Sequence, residues 1–183
     1  GPLGAAITER LTALAMPAAT VEVHVGDDGA GDDVEFRLAA NPGTPPLPFT
    51  KVASGGELAR VMLAVRLVLV ELRGALDADQ SSLVFDEVDA GIGGDAATAV
   101  GRALAAVAGG AQVLVVTHLP QVAAAATAQI AVRKTVTAGS TVATAEAIGG
   151  ERRVTEIARM LSGDLGGSAA TEHARELLRS EVV

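Results

Sequence analysis

Apolar residues recur along this chain at two distinct spacings, and these separate its helices from its strands. Leu58, Val61, Met62, Val65, Leu69 and Leu72 fall at three- and four-residue steps, which predicts a helix from Glu57 to about Leu76 with one broad buried face. Ile7, Leu11 and Leu14 predict a shorter helix from Ala5 to Leu14, ended before Pro17 because the residue preceding a proline is disfavoured in the helical region. Thr20 to Val25 and Val34 to Leu38 alternate apolar and polar positions instead. The turn-rich stretch Gly26 to Asp33 between them makes an antiparallel hairpin. His24 lies on the polar side of that alternation with no ligand candidates nearby, so it reads as a surface residue.

Two runs do not alternate at all. Ser82 to Asp86 and Val113 to Val116 are short and continuously apolar until their polar ends, as expected of strands buried on both faces. Gly91-Ile-Gly-Gly94 opens a helix from Asp95 to about Ala108, and Leu119-Pro120 starts another. Strands around Ile130 to Lys134 and Val142 to Ala147 follow, then helices from about Val154 to Leu161 and Ala169 to Leu178, joined through Leu161 to Gly167. The strand-helix alternation predicts an α/β fold, a mostly parallel sheet flanked by helices with an N-terminal β-hairpin. Asn41 to Pro48 holds four prolines and predicts an extended connection into Lys51-Val-Ala-Ser-Gly-Gly-Glu57.

Composition narrows the function more than the fold. A length of 183 residues suits one domain or one lobe of a larger assembly. The net charge is −8 and only 2% of residues are aromatic, so the chain lacks both the cations that neutralise phosphates and the rings that stack on bases. It does not read as a nucleic-acid contact surface. Without cysteine it forms no disulfide or thiolate metal site, which permits a reducing compartment. No stretch reaches the roughly 20 apolar residues that span a bilayer. Gly1-Pro2-Leu3-Gly4 resembles the scar of a cleaved affinity tag, and the natural sequence is expected to start near Ala5.

Candidate chemistry gathers at three places. Ser54-Gly55-Gly56 followed at once by a helix offers a hydroxyl, open backbone N–H groups and a positive dipole end, the physics of phosphate recognition. Asp86, Glu87 and Asp89 leave the end of an apolar strand, where ligands bind in α/β sheets. One such carboxylate suits Mg²⁺ and a neighbour suits orienting or deprotonating a water. Thr117 and His118 end the next strand. Each feature alone has a structural reading: a turn, a solvated strand end, a packed histidine. Their order and spacing decide between these readings.

That order resembles the signature, Walker B, D-loop and switch-histidine series of ABC-type ATPases. Lys51-Val-Ala-Ser-Gly-Gly-Glu-Leu-Ala-Arg60, Phe85-Asp-Glu-Val-Asp-Ala-Gly-Ile-Gly-Gly94, Thr117-His-Leu-Pro-Gln-Val-Ala123 and Ile157-Ala-Arg-Met-Leu161 resemble, more narrowly, the SMC-like RecN family of bacterial DNA-repair proteins. The resemblance implies the C-terminal lobe of an ABC/SMC-type ATPase head over residues 17–183, with residues 5–16 the stub of a coiled-coil helix. It implies that Ser54, Gly55, Gly56 and Glu57 belong to a motif that meets the γ-phosphate of ATP on an opposite head. Asp86 would support Mg²⁺, Glu87 would act as base or water-orienting group, Asp89 would sit in the dimer interface and His118 would sense the γ-phosphate. Ala53 and Glu57 depart from the commonest ABC signature, which has leucine and glutamine there.

No Gly-x-x-x-x-Gly-Lys-Ser/Thr loop occurs, so the phosphate cradle is expected on an N-terminal lobe of the same protein. This chain by itself is then expected to be inactive. The implied partners are that lobe, a second head paired through ATP, and DNA reached through the full-length protein, in the cytoplasm at the nucleoid and without membrane association. Two other readings stand beside it: a Mg²⁺-dependent nuclease or Toprim-like domain with Glu57, Asp86, Glu87 and Asp89 as a metal cluster, and a non-catalytic assembly lobe.

Overall fold

Helix α1 (Pro2–Ala13) buries Ile7 and Leu11 completely, the stripe its sequence spacing predicts. It starts three residues earlier than expected and includes Gly4, where an added Cβ would lie 2.7 Å from the carbonyl oxygen of Val21. Glycine there lets the helix lie directly on strand β1 (Thr20–Val25), and Thr8 Oγ1 accepts the Val21 N–H at 2.9 Å. The computed structural model describes residues 1–26, 33–52, 55–74, 82–86, 89, 92–137, 140–163 and 167–180. The predicted turn at 27–32, Ser54, Glu87, Gly91 and residues 164–166 lie outside that set.

Two compact units form, residues 1–117 and residues 118–183. In the first, β1 pairs antiparallel with β2 (Val34–Ala39), as predicted, from Thr20↔Ala39 to Val25↔Val34. The proline-rich connection adds a short third strand, β3 (Leu47–Pro48), and a 3-10 turn over Phe49–Lys51, with the Phe49 ring 5.5 Å from that of Phe36. Helix α2 (Gly55–Gly74) packs along α1, and an Arg10–Glu71 ion pair of 2.7 Å joins them.

The buried stripe of α2 is Val61, Leu63, Ala64, Leu67 and Val68, whereas Met62, Leu69 and Leu72 are exposed. The expected face was therefore rotated from the observed one. Apolar residues run nearly all round this helix, so spacing could not select which side meets α1.

Strands β4 (Ser82–Asp86) and β5 (Gln112–Val116) pair in parallel from Ser82↔Gln112 to Asp86↔Val116, with α3 (Gly94–Ala108) as the crossover. Gly94 opens α3 at φ +54°, a backbone conformation that costs a Cβ-bearing residue. Burial on both faces was expected for these strands. In the structure Phe85 is buried, but Val84, Leu114 and Val116 stand exposed on the other face.

The second unit follows with α4 (Pro120–Ala124), β6 (Gln129–Thr137), β7 (Ser140–Ile148), α5 (Glu151–Ser162) and α6 (Ser168–Ser180). β6 and β7 form an antiparallel hairpin, so parallel pairing among the described strands is confined to β4 and β5. The core of this unit joins Ala123 and Ala124 of α4 to Val154, Ile157 and Ala158 of α5 and Ala174 of α6. No helix of the described residues is long and apolar enough to cross a membrane.

Candidate functional site

The backbone before α2 is extended through Val52, and the helix then runs for 20 residues from Gly55. The first-turn N–H groups of a helix this long have no intrahelical partner and carry the positive end of its dipole. Gly55 is exposed and an added Cβ would meet no atom within 4 Å. Among the described residues nothing crowds the glycine. Glu57 sits in the first turn, where a carboxylate favours the dipole.

The parallel pairing of β4 and β5 carries two strand ends to the same edge. Asp86 is in register with Val116, and its carboxylate is exposed. Three residues on, Asp89 is 2% exposed, and the Thr117 hydroxyl donates to its Oδ2. The Asp89 carbonyl also accepts the Ile92 N–H at 3.2 Å, closing the turn that leads into α3. The structure directs the Asp89 carboxylate into the chain itself, onto Thr117. Two nearby aspartates thus meet different surroundings: Asp86 keeps its oxygens open, and Asp89 ties β5 to the turn after β4.

Open hard-oxygen donors suit Mg²⁺, which holds one or two protein carboxylates and completes its shell with water and substrate oxygens. The exposed Asp86 fits that role. Among the described residues no group of three or more histidine and acidic side chains gathers to hold a metal. Glu57, Asp86 and Asp89 do not gather into such a group, and Glu87, the fourth member of the cluster that a nuclease reading expects, lies outside the described residues.

His118 is the first residue of the second unit and is exposed. Leu119 follows as an extended N-cap (φ −92°, ψ 123°), and Pro120 occupies the first helical position, where its missing N–H costs nothing. Behind α4, Arg153 Nη2 donates to the carbonyls of Ala123 (3.1 Å), Ala124 (3.1 Å) and Ala126 (2.5 Å). Burial lowers the Arg153 pKa.

Glu156 is buried in the same unit. Arg159 donates to its Oε1 at 2.7 and 3.1 Å, and Arg133 of β6 approaches its Oε2 at 3.4 Å. The hydrogen bonds from Arg159 hold the Glu156 carboxyl below its ordinary value, with both guanidinium charges adding to the effect. Neither Arg153 nor Glu156 was singled out in the sequence. The available signal was a charged residue at position 153, one turn before the fully buried Ile157 on the core stripe of α5.

No family model matches the chain. Curated relatives do. The DNA repair protein RecN of Streptomyces coelicolor is 45% identical over 194 residues, covering 96% of this chain and 33% of the relative. That of Deinococcus radiodurans is 52% identical over 168 residues, covering 92% of this chain and 27% of the relative. The Mycobacterium tuberculosis protein is 46% identical over 157 residues, covering 86% and 26%. The chain thus spans about a third or less of the curated relatives it matches, and the match falls on their C-terminal part.

Among solved structures, the Smc head domain with a coiled coil and joint from Pyrococcus yayanosii aligns with a TM-score of 0.69 at 17% identity, covering 85% of this chain and 28% of that one. A structure described as concerning ATP-driven dimerization and DNA-stimulated activation of SMC ATPases aligns with a TM-score of 0.66 at 17% identity, covering 87% and 91%. At these identities the likeness is one of fold, and the fold is that of an SMC head.

Proposed function

Because the chain belongs to the RecN family over the third of its relatives' length that it spans, we propose that it is the C-terminal lobe of a DNA-repair ATPase head, completed by a lobe carrying the phosphate loop. The observation that carries this reading is the shared edge of β4 and β5. There the exposed Asp86, the tethered Asp89 and Thr117 converge, with His118 next in sequence. An uncovered apolar face beside that edge supports it, since parallel strands are stable when both faces are covered. ATP is the substrate, and Mg²⁺ bound with it would neutralise charge on the phosphates.

In this reading the chain's own groups divide the work. Asp86 supplies a metal-facing carboxylate, and Glu87 orients a water and accepts its proton as that water attacks the γ-phosphoryl group. His118 donates toward the same phosphoryl oxygens. Ser54, Gly55 and Gly56, the sequence that leads into α2, serve the nucleotide on a second head, so turnover requires two heads to meet. The chain alone is then inactive, because it lacks the phosphate loop. Cycles of head closure and reopening would act on DNA at double-strand breaks, in the cytoplasm at the nucleoid.

The experiment combines this chain with its phosphate-loop lobe and follows Mg-ATP hydrolysis for wild type and Glu87→Gln. Loss of about 100-fold or more in kcat, with nucleotide binding retained, is the expected result for a general base. Unchanged turnover in Glu87→Gln would remove Glu87 from that role, and DNA cleavage without nucleotide would overturn the ATPase reading.

A further inference from the structure

We propose that Arg153 is a positioning residue for the His118 segment, acting from the far end of α4; this rests on the ATPase reading above. Helix α4 has only five residues, too few to be stable by its own backbone hydrogen bonds, and the last carbonyls of any helix lack intrahelical partners. Two sets of contacts among the described residues help to hold it in place. Its apolar side, Val122, Ala123 and Ala124, is buried, with Ala123 and Ala124 in the cluster formed with Val154, Ile157, Ala158 and Ala174. The carbonyls at and just beyond its C-terminus, those of Ala123, Ala124 and Ala126, are gathered by a single guanidinium nitrogen, Arg153 Nη2.

The apolar contact alone sets the helix against α5 but leaves it free to slide and roll, because burial is non-directional. The two N–H groups of Nη2, shared among three carbonyls at the negative end of the dipole, remove that freedom. At the other end of α4, Pro120 fixes the first turn and the Leu119 carbonyl accepts the Ala123 N–H at 3.1 Å. His118 therefore leaves a rigid stub about 7.5 Å long whose distal end is held by Arg153.

Arg153 itself is fixed by α5, which is anchored in turn. Arg152 pairs with Glu146 of β7, Glu156 meets Arg133 of β6, and Glu151 takes Arg175 of α6 at 3.0 Å. The Arg153 Nε is buried and makes no hydrogen bond, so the side chain's hydrogen bonding is given to the α4 carbonyls through Nη2. A lysine at this position would keep the charge, but its shorter side chain would fall short of the carbonyls that Nη2 reaches.

The test has two arms. In this chain alone, amide hydrogen exchange over residues 118–126 is compared for wild type and Arg153→Lys. Faster exchange confined to this segment is expected, and unchanged exchange would overturn the clamp. In the ATPase assembled with its phosphate-loop lobe, Arg153→Lys is expected to lower kcat about tenfold with ATP KM shifting less than about twofold, the pattern of a misplaced group. In a His118→Ala background the same substitution should add no further loss of kcat while still speeding exchange. An equal loss in both backgrounds, or a lowered melting temperature with kcat intact, would make Arg153 merely structural. If the wild-type assembly does not hydrolyse ATP, the ATPase reading fails by itself, and the exchange arm still decides whether Arg153 holds α4.

Discussion

The Thr117 hydroxyl donates to the carboxylate of Asp89, a side chain only 2% exposed, and thereby fastens the end of β5 to the turn that follows β4. The two residues are 28 positions apart and meet because β4 and β5 run in parallel and in register. A buried carboxylate depends on its donors, since water cannot replace them.

Replacing Thr117 with valine keeps the shape and removes one donor. The expected loss is about 1–3 kcal/mol of stability, the cost of leaving a buried acceptor one bond short. Urea or thermal unfolding of the chain measures it; a change below about 0.5 kcal/mol, the level of ordinary surface substitutions, would show that the bond contributes little.

Substituting Ser54 with arginine should leave unfolding unchanged and abolish ATP-dependent pairing of two heads. In the proposed reading a long cation in the sequence leading into α2 would occupy the space that a second head's nucleotide needs. Light scattering of the assembled protein with ATP reads the outcome, and normal pairing would count against the contact in trans.

The exposed face of the parallel pair should be where the phosphate-loop lobe packs. Val84 is 66% exposed, so Val84→Asp should fold normally yet weaken association with that lobe by roughly tenfold or more, as expected for charge placed in an apolar interface. Titration of labelled lobe against wild-type and variant chains tests this, and equal affinity would place the interface elsewhere.

Glu156 should give the second unit an acid-sensitive component of stability. Its carboxyl is held below the ordinary 4.5 chiefly by the hydrogen bonds from Arg159. A lowered folded-state pKa stabilises the fold above the unfolded value, and that contribution is lost as pH falls through the folded pKa. Between neutral pH and about pH 5 it is therefore fully present, and it declines at more acidic values. Stability measured against pH for wild type and Glu156→Gln should converge on acidification. A constant gap down to the lowest pH would show that the effect is not electrostatic.

Much of the element order was legible from patterning. The hairpin of β1 and β2, helix α3 and the amphipathic helices α5 and α6 all lie close to their expected positions, because each has an alternation or a stripe that only one kind of element can bury. The family was legible too, through Ser54-Gly55-Gly56, Asp86-Glu87 and Thr117-His118 in that order. These motifs depend on local backbone chemistry, and such chemistry is written in consecutive residues.

Other features required the assembled chain. Which side of α2 would be buried depended on where α1 lies, since Met62, Leu69 and Leu72 are as apolar as Val61 and Val68. That β4 and β5 keep one face exposed depended on which elements pack there, a matter no strand's own residues state. Asp86 and Asp89 are alike in sequence, yet one is open and the other bound to Thr117, because a carboxylate's surroundings are set by residues distant along the chain. The same holds for Arg153. Its charge is visible at position 153, but its bonds to three carbonyls of residues 123–126 exist only once α5 has packed across α4. The sequence by itself determined the elements and the motif series; tertiary packing alone decided which polar groups would be buried, since burial depends on contacts between residues far apart in the chain.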